Sequence, residues 1–284
     1  MKHRILYLLL FSLVVFASCG EYNKILKSTD NELKYSYAKK YFEEGKYGRA
    51  ITLLQDIVPY LKGTSNGEDA LYLLAQSFFY DKDYETANQY YTAYINQYPR
   101  GQYVQTARFN SAYGLYLDSP DVRLDQTNTY RAIQGFQDFI ELYPQSEKVE
   151  IATQSMFDLQ EKLAQKDLMA ARLYYNLGNY MGNNYEACVV TSREGLKSYP
   201  YSKQLEEFQA LIVRSRYQLA TQSIEEKKPV RFRDVIDEYY NYQNMFPEGR
   251  YKKEFDRYYR RASKELGLAV EGVDTSDDVI EETK

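Results

Sequence analysis

The thiol and imidazole chemistry of this 284-residue chain rests on three side chains, His3, Cys19 and Cys188. Cys19 could be half of a disulfide, a metal ligand, a nucleophile or a lipid acceptor. His3 lies in an apolar leader, so a mature chain beginning at Cys19 has no histidine. That removes Ser-His-Asp and Cys-His catalysis, histidine general bases and every histidine-containing zinc site. There is no Gly-rich phosphate loop, no dinucleotide fingerprint and no pair of carboxylates placed for hydrolysis. The expectation is a protein that is not an enzyme and uses no cofactor and no metal. Cys188 sits at a helix position that wants a small buried residue, so it reads as core and not as the partner of Cys19.

The leader decides between the chemistries of Cys19. Lys2, His3 and Arg4 precede the run "ILYLLLFSLVVF" (5–16), 12 residues broken only by Ser12. That is short of the about 20 residues a spanning helix needs, and has the length of a secretory h-region. Ala17 and Ser18 then stand directly before Cys19. The pattern resembles the bacterial lipobox, with Phe16 where Leu is more usual. Its cysteine is acylated and becomes the new N-terminus, and two or more acyl chains anchor stably. The residues after it, Gly20, Glu21, Tyr22 and Asn23, include no Asp beside the cysteine and no acidic cluster. An outer-membrane anchor with the body facing the periplasm is therefore expected.

Composition narrows the class further. With 32 Tyr, 13 Phe and no Trp, aromatic side chains suit half-buried helix faces and partner surfaces. The formal charge of -4 becomes -6 once Lys2 and Arg4 leave with the leader, which gives no basic field for nucleic acid.

The elements that must carry any site repeat along the chain. Four segments end alike, at Tyr98-Pro99, Tyr143-Pro144, Tyr199-Pro200 and Phe246-Pro247. Ala87, Ala132, Cys188 and Val235 each stand 12 positions before the proline, with further core positions 4 and 7 residues on. Spacings of 4 and 3 keep one helix face inward, and the proline ends the helix. Leu71, Leu74, Ala75 and Phe78, followed by Ala87, Tyr91, Tyr94 and Pro99, fit the tetratricopeptide pattern of about 34 residues. A first unit fits around Tyr37, Ala38, Tyr41, Ala50, Leu54 and Ile57, although "VPYLKGTS" departs from the Tyr-Pro ending. Longer spacing between later prolines is assigned to an insertion at 118–129, read as a loop, and a long helix over 146–165. The expected fold is all-α, a tetratricopeptide-like solenoid of about five helical pairs. Its expected divisions are a lipoprotein signal peptide (1–18), a lipidated tether (19–30), the superhelix (31–266) and an acidic disordered tail (267–284). The basic, Tyr-rich segment 249–267 is read as a capping helix with a solvated face, or as a docking surface for an acidic partner.

A lipobox followed by such repeats resembles the BamD family of outer-membrane β-barrel assembly lipoproteins, over about residues 19–265. "EEGKYGRAITLLQDI" (43–57) and "AIQGFQDFIELYPQSEKVEIAT" (132–153) are similar in detail. "DLQEKLAQKDLMAARLYYNLGNY" (158–180) is the most specific: Lys162-Leu163-Ala164, Ala170, Tyr174, Tyr175 and Gly178 are not dictated by repeat packing. The aromatic-rich style and the leader look like a Bacteroidetes-type member. The resemblance implies a scaffold that binds the central barrel assembly protein, other assembly-machine subunits and targeting segments of unfolded outer-membrane proteins. It also carries a partner-docking arginine over to Arg193.

Counting from Ala38 and Ala75, the concave positions of the first two pairs are Tyr35, Lys39 and Phe42, then Tyr72, Gln76 and Phe79. These could hold an extended, aromatic-ended peptide and cap its carboxylate, or simply pack between repeats. Rival readings are another periplasmic tetratricopeptide lipoprotein, acting as an envelope or cell-division scaffold, and a glycan-binding outer-membrane lipoprotein. The missing Trp speaks against the latter. Cys19→Ala is expected to release the chain from sedimented outer membranes; a variant that still pellets with them overturns the anchor.

Overall fold

The structure, a computed structural model, describes residues 20–270. The leader, Cys19 and residues 271–284 of the expected tail lie outside the described residues. Every regular element among the described residues is helical. The helices are α1 (residues 20–26), α2 (Asn31–Glu43), α3 (Tyr47–Leu61), α4 (Gly67–Tyr80), α5 (Tyr84–Gln97), α6 (Val104–Leu117), α7 (Thr127–Leu142), α8 (Val149–Leu177), α9 (Asn184–Ser198), α10 (Leu205–Thr221), α11 (Lys228–Met245) and α12 (Lys252–Glu265). A short 3-10 turn, Glu225–Lys227, leads into α11. Consecutive pairs from α2/α3 to α10/α11 make five, with α12 closing the series, so the all-α tetratricopeptide-like reading holds.

The chain forms two compact units, divided after Leu159 within α8. In unit 1, α2 to α5 share a core built on Leu53, Leu54, Ile57, Leu74, Tyr91 and Tyr94. A second core joins α6, α7 and the start of α8 through Phe109, Phe136, Phe139 and Leu159. In unit 2, Leu168, Cys188 and Phe208 join α8, α9 and α10, and Val213, Tyr239 and Phe255 join α10, α11 and α12.

Local chemistry sets the boundaries. Asp30, Asp83 and Asn183 cap α2, α5 and α9 by accepting from the backbone N–H of Leu33, Thr86 and Glu186. Tyr98, Tyr143, Tyr199 and Phe246 all sit at φ between -126° and -136° and ψ between 57° and 70°, outside the helical region as a following proline requires. Small residues then let the paired helices approach: Ala75 and Ala87 are buried on facing helices.

Three expectations are adjusted. The tether contains helix α1, whose Ile25 is buried in the first core, while Tyr22 meets Tyr41 edge-on with centroids 5.7 Å apart. The 118–129 insertion is irregular only up to Gln126, since α7 begins at Thr127. The long helix runs 29 residues to Leu177 because no Gly or Pro interrupts it, so it also supplies the first helix of the fourth pair. The odd ending of the first unit arises because Pro59 lies inside α3, which continues to Leu61.

One polar device appears in both units. Tyr94 Oη donates to Glu68 Oε1 (2.6 Å) and accepts from Tyr103 N–H (3.0 Å), while Gln102 N–H donates to the same Glu68 oxygen (2.8 Å). In unit 2, Tyr242 Oη donates to Glu206 Oε1 (2.8 Å) and accepts from Tyr251 N–H (3.0 Å), and Arg250 N–H donates to Glu206 (2.6 Å). The shared sequence is Tyr-x4-Pro-x-Gly-x-Tyr, at 94–103 and 242–251. Glycine is needed because a Cβ on Gly101 or Gly249 would collide with the tyrosine hydroxyl and the glutamate.

Tyr94→Phe is expected to lower unfolding free energy by about 1–3 kcal/mol in urea titrations, because it strips a buried network of its central hydroxyl. The acidic limb is informative too. Burial opposes ionisation of Glu206 and Glu207, but hydrogen bonds from Arg250 and Tyr242 to the first, and from Tyr251 and Arg172 to the second, hold both below the usual 4.5. Glu254, also partly buried, is held low by Arg214 and Tyr258. Carboxylates depressed in the folded state contribute stability that is complete at neutral pH and lost as pH falls through the unfolded and then the folded values. Acid is therefore expected to lower the urea midpoint, and Glu254→Gln to lower the neutral midpoint while flattening the acid slope.

Candidate functional site

Tyr35, Lys39 and Phe42 lie at i, i+4 and i+7 on α2, so one face of that helix carries all three. Tyr72 and Gln76 repeat the first two positions on α4. Within unit 1 these five side chains line a single cleft of about 450 Å³. Phe79, the sixth expected residue, is not part of it. Its ring turns to Tyr84 and Tyr91, at 5.4 and 6.5 Å, and lies over Gly114, where the absent side chain of α6 leaves room.

The cleft has a buried floor and an open mouth. Tyr35 and Tyr72 are only 4% and 6% exposed, so they both pack between helices and present a ring surface. Tyr72 stacks on Tyr103 with centroids 4.2 Å apart and planes 9° off parallel. Gln76 Nε2 donates to Tyr72 Oη at 3.1 Å, and Lys39 Nζ lies 4.6 Å above the Tyr35 ring. Phe42 meets Tyr47 and Tyr80 edge-on, at 5.5 and 5.6 Å. Burial, reinforced by Asp69 and Tyr103, pushes the Tyr35 phenol up to about 12, and burial does the same to Tyr72. Both are therefore neutral hydroxyls at physiological pH.

Glu43, Asp69, Leu73 and Tyr103 complete the lining and were missed from the sequence. Glu43 is one helical turn beyond Lys39, and Asp69 one turn before Tyr72, so extending each face by a turn finds them. Tyr103 has no such local signal, because the Tyr94–Glu68 network brings it there. Asp69 accepts from Gln102 Nε2 at 2.9 Å. Two carboxylates thus share the cleft with one ammonium. The arrangement offers aromatic contact, one cation and several acceptors.

Unit 2 carries a paired arginine at the corresponding position. Counting eight residues from Glu68 reaches Gln76, and eight from Glu206 reaches Arg214. Arg214 donates Nε and Nη2 to the two oxygens of Glu254, at 2.8 and 2.6 Å, with its guanidinium 4.5 Å from the Tyr251 ring centroid. Arg193, on α9, pairs with buried Glu238 of α11, which also accepts from Gln209 and Asn241, both at 3.1 Å. About half of the Arg193 side chain (54%) stays exposed. Cys188 is buried with Ser192 Oγ 3.9 Å from its Sγ, and burial raises its thiol pKa. Cys19 lies outside the described residues. No group of three or more His, Cys, Asp or Glu among the described residues could hold a metal ion, and no described helix is long and apolar enough to cross a membrane.

The YfiO family model, described as outer membrane lipoprotein, matches residues 27–228. The outer membrane protein assembly factor BamD of Rickettsia prowazekii (strain Madrid E) is 27% identical over 150 residues, which are 52% of this chain and 59% of that protein. The match thus spans about three fifths of that relative's length. A thermophilic tetratricopeptide protein of Thermus thermophilus aligns over 82% of this chain and 98% of its own, at 14% identity and a TM-score of 0.32.

Proposed function

The chain belongs to the YfiO family of outer membrane lipoproteins, and on that premise we propose that it is a lipid-anchored, non-catalytic scaffold of the β-barrel assembly machine. In this reading Cys19 carries the acyl anchor and the body faces the periplasm. The chain binds the central barrel assembly protein, and unit 1 receives targeting segments of unfolded outer-membrane proteins.

The observation that carries the reading is the aromatic cleft between α2 and α4. An incoming aromatic side chain would pack against Phe42 and the Tyr72–Tyr103 stack. Lys39, exposed at the mouth, would pair with a terminal carboxylate. Glu43 and Asp69 would accept backbone or basic donors and repel acidic residues near the peptide's end. The cleft thus favours an aromatic-ended peptide poor in acidic side chains. Arg193, half exposed, is the proposed contact for the central assembly protein.

A photoreactive peptide ending in Phe, derived from an outer-membrane barrel protein, is expected to label α2 and α4. Lys39→Glu should weaken labelling about tenfold or more, by removing one charge pair and adding a repulsive one. Labelling confined to unit 2 would discard the cleft as the client site.

A further inference from the structure

Unit 1 has a second cleft, built from one face each of α5, α6 and α7 and distinct from the α2–α4 groove. Its volume is about 230 Å³, below the roughly 300–1,000 Å³ of pockets that enclose a whole small molecule. It is the size of a side chain. α6 and α7 approach so closely at Ala112 that a Cβ on Gly135 would collide with it.

Two arginines line this cleft, and they differ in what they hold. Arg131 is committed: Nη1 donates to Glu85 and Asn128, both at 2.8 Å, and Nη2 to Asn88 at 2.9 Å. Arg108 is not. Its Nε is buried with no hydrogen-bond partner. Asp138 lines the same cleft and accepts from Gln134 at 2.7 Å, yet no ion pair joins it to Arg108 among the described residues. Ser111 Oγ accepts from Asn88 Nδ2 at 2.6 Å, so its own proton is available to a further acceptor. A buried N–H without an acceptor is costly, and such groups are rare unless something completes them.

We infer that the Arg108 cleft receives the carboxylate of an acidic side chain inserted by a protein partner. Arg108 as a whole is only partly buried, so a carboxylate that reaches its guanidinium beyond the occluded Nε meets planar, paired N–H donors. Asp138 on the wall repels any anion, and a dianion such as phosphate more strongly than a single carboxylate. Ile95, only partly buried, gives the cleft apolar surface for the methylene stem of a glutamate. This site needs no occupancy of the α2–α4 groove.

The test follows the Arg108 Nε–Hε resonance of the full chain by NMR, assigned by its loss in Arg108→Met. Acetyl-Gly-Glu-Gly-amide is expected to shift it saturably, and the Gln counterpart to bind at least about tenfold more weakly. Arg108→Met should abolish the response while leaving the urea midpoint unchanged or higher, since it removes an uncompensated buried group. Three results would overturn the inference. They are an equal response to the Gln peptide, binding of acetate as tight as that of the Glu peptide (a free small-anion site only), and a lowered midpoint in Arg108→Met, which makes the arginine structural.

Discussion

A buried tyrosine hydroxyl must find partners, and in this protein that requirement organises the joints between helical pairs. Tyr94 and Tyr242 are essentially fully buried, and each hydroxyl is completed by a glutamate and by the N–H of the residue that opens the next helix. Neither α6 nor α12 has a side-chain N-cap. The tyrosine oxygen and the glutamate take over that role, satisfying donors that would otherwise be orphaned and placing negative charge at the helix start. The same turn sets Tyr103 against Tyr72, so the floor of the aromatic cleft is a by-product of how the helix begins.

The other joints use the same proline stop with different filling. Five residues before each proline stand Tyr94, Phe139, Gly195 and Tyr242. Phe139 lies in an apolar core with Phe109 and Phe136. At Gly195 the space is occupied by the Phe208 ring, leaving no room for a Cβ. The networked tyrosine recurs where the joint is polar, with an open cleft beside it in unit 1 and the Arg214–Glu254 pair over Tyr251 in unit 2. One backbone device thus stands beside an open cleft in unit 1 and beside the Arg214–Glu254 ion pair in unit 2.

Much of this was readable from spacing. Core positions such as Ala38, Ala75, Ala87 and Cys188 follow from the 3.6-residue period, and all are buried. Proline marked four helix ends correctly because its effect on the preceding residue is local. Five of the six cleft residues were found because Ala38 and Ala75 fix the helix face. Phe79 was misplaced because its direction depends on Gly114 and Tyr84, on helices the face-counting ignores. Glu68 stands 26 residues from Tyr94, so no local pattern couples them. The end of α8 at Leu177 was hidden by the repeat template, although the absence of Gly and Pro would have carried the helix on.

The Tyr72–Tyr103 stack joins two otherwise separate demands on the chain. Tyr103 supports the cleft with its ring and closes the helical joint with its N–H, so a lineage cannot exchange the residues around Gly101 without disturbing its architecture. Lys39, Phe42 and Glu43 stand outside that network. Substitution at the rim can therefore change what the cleft accepts, while the aromatic base is held by the architecture.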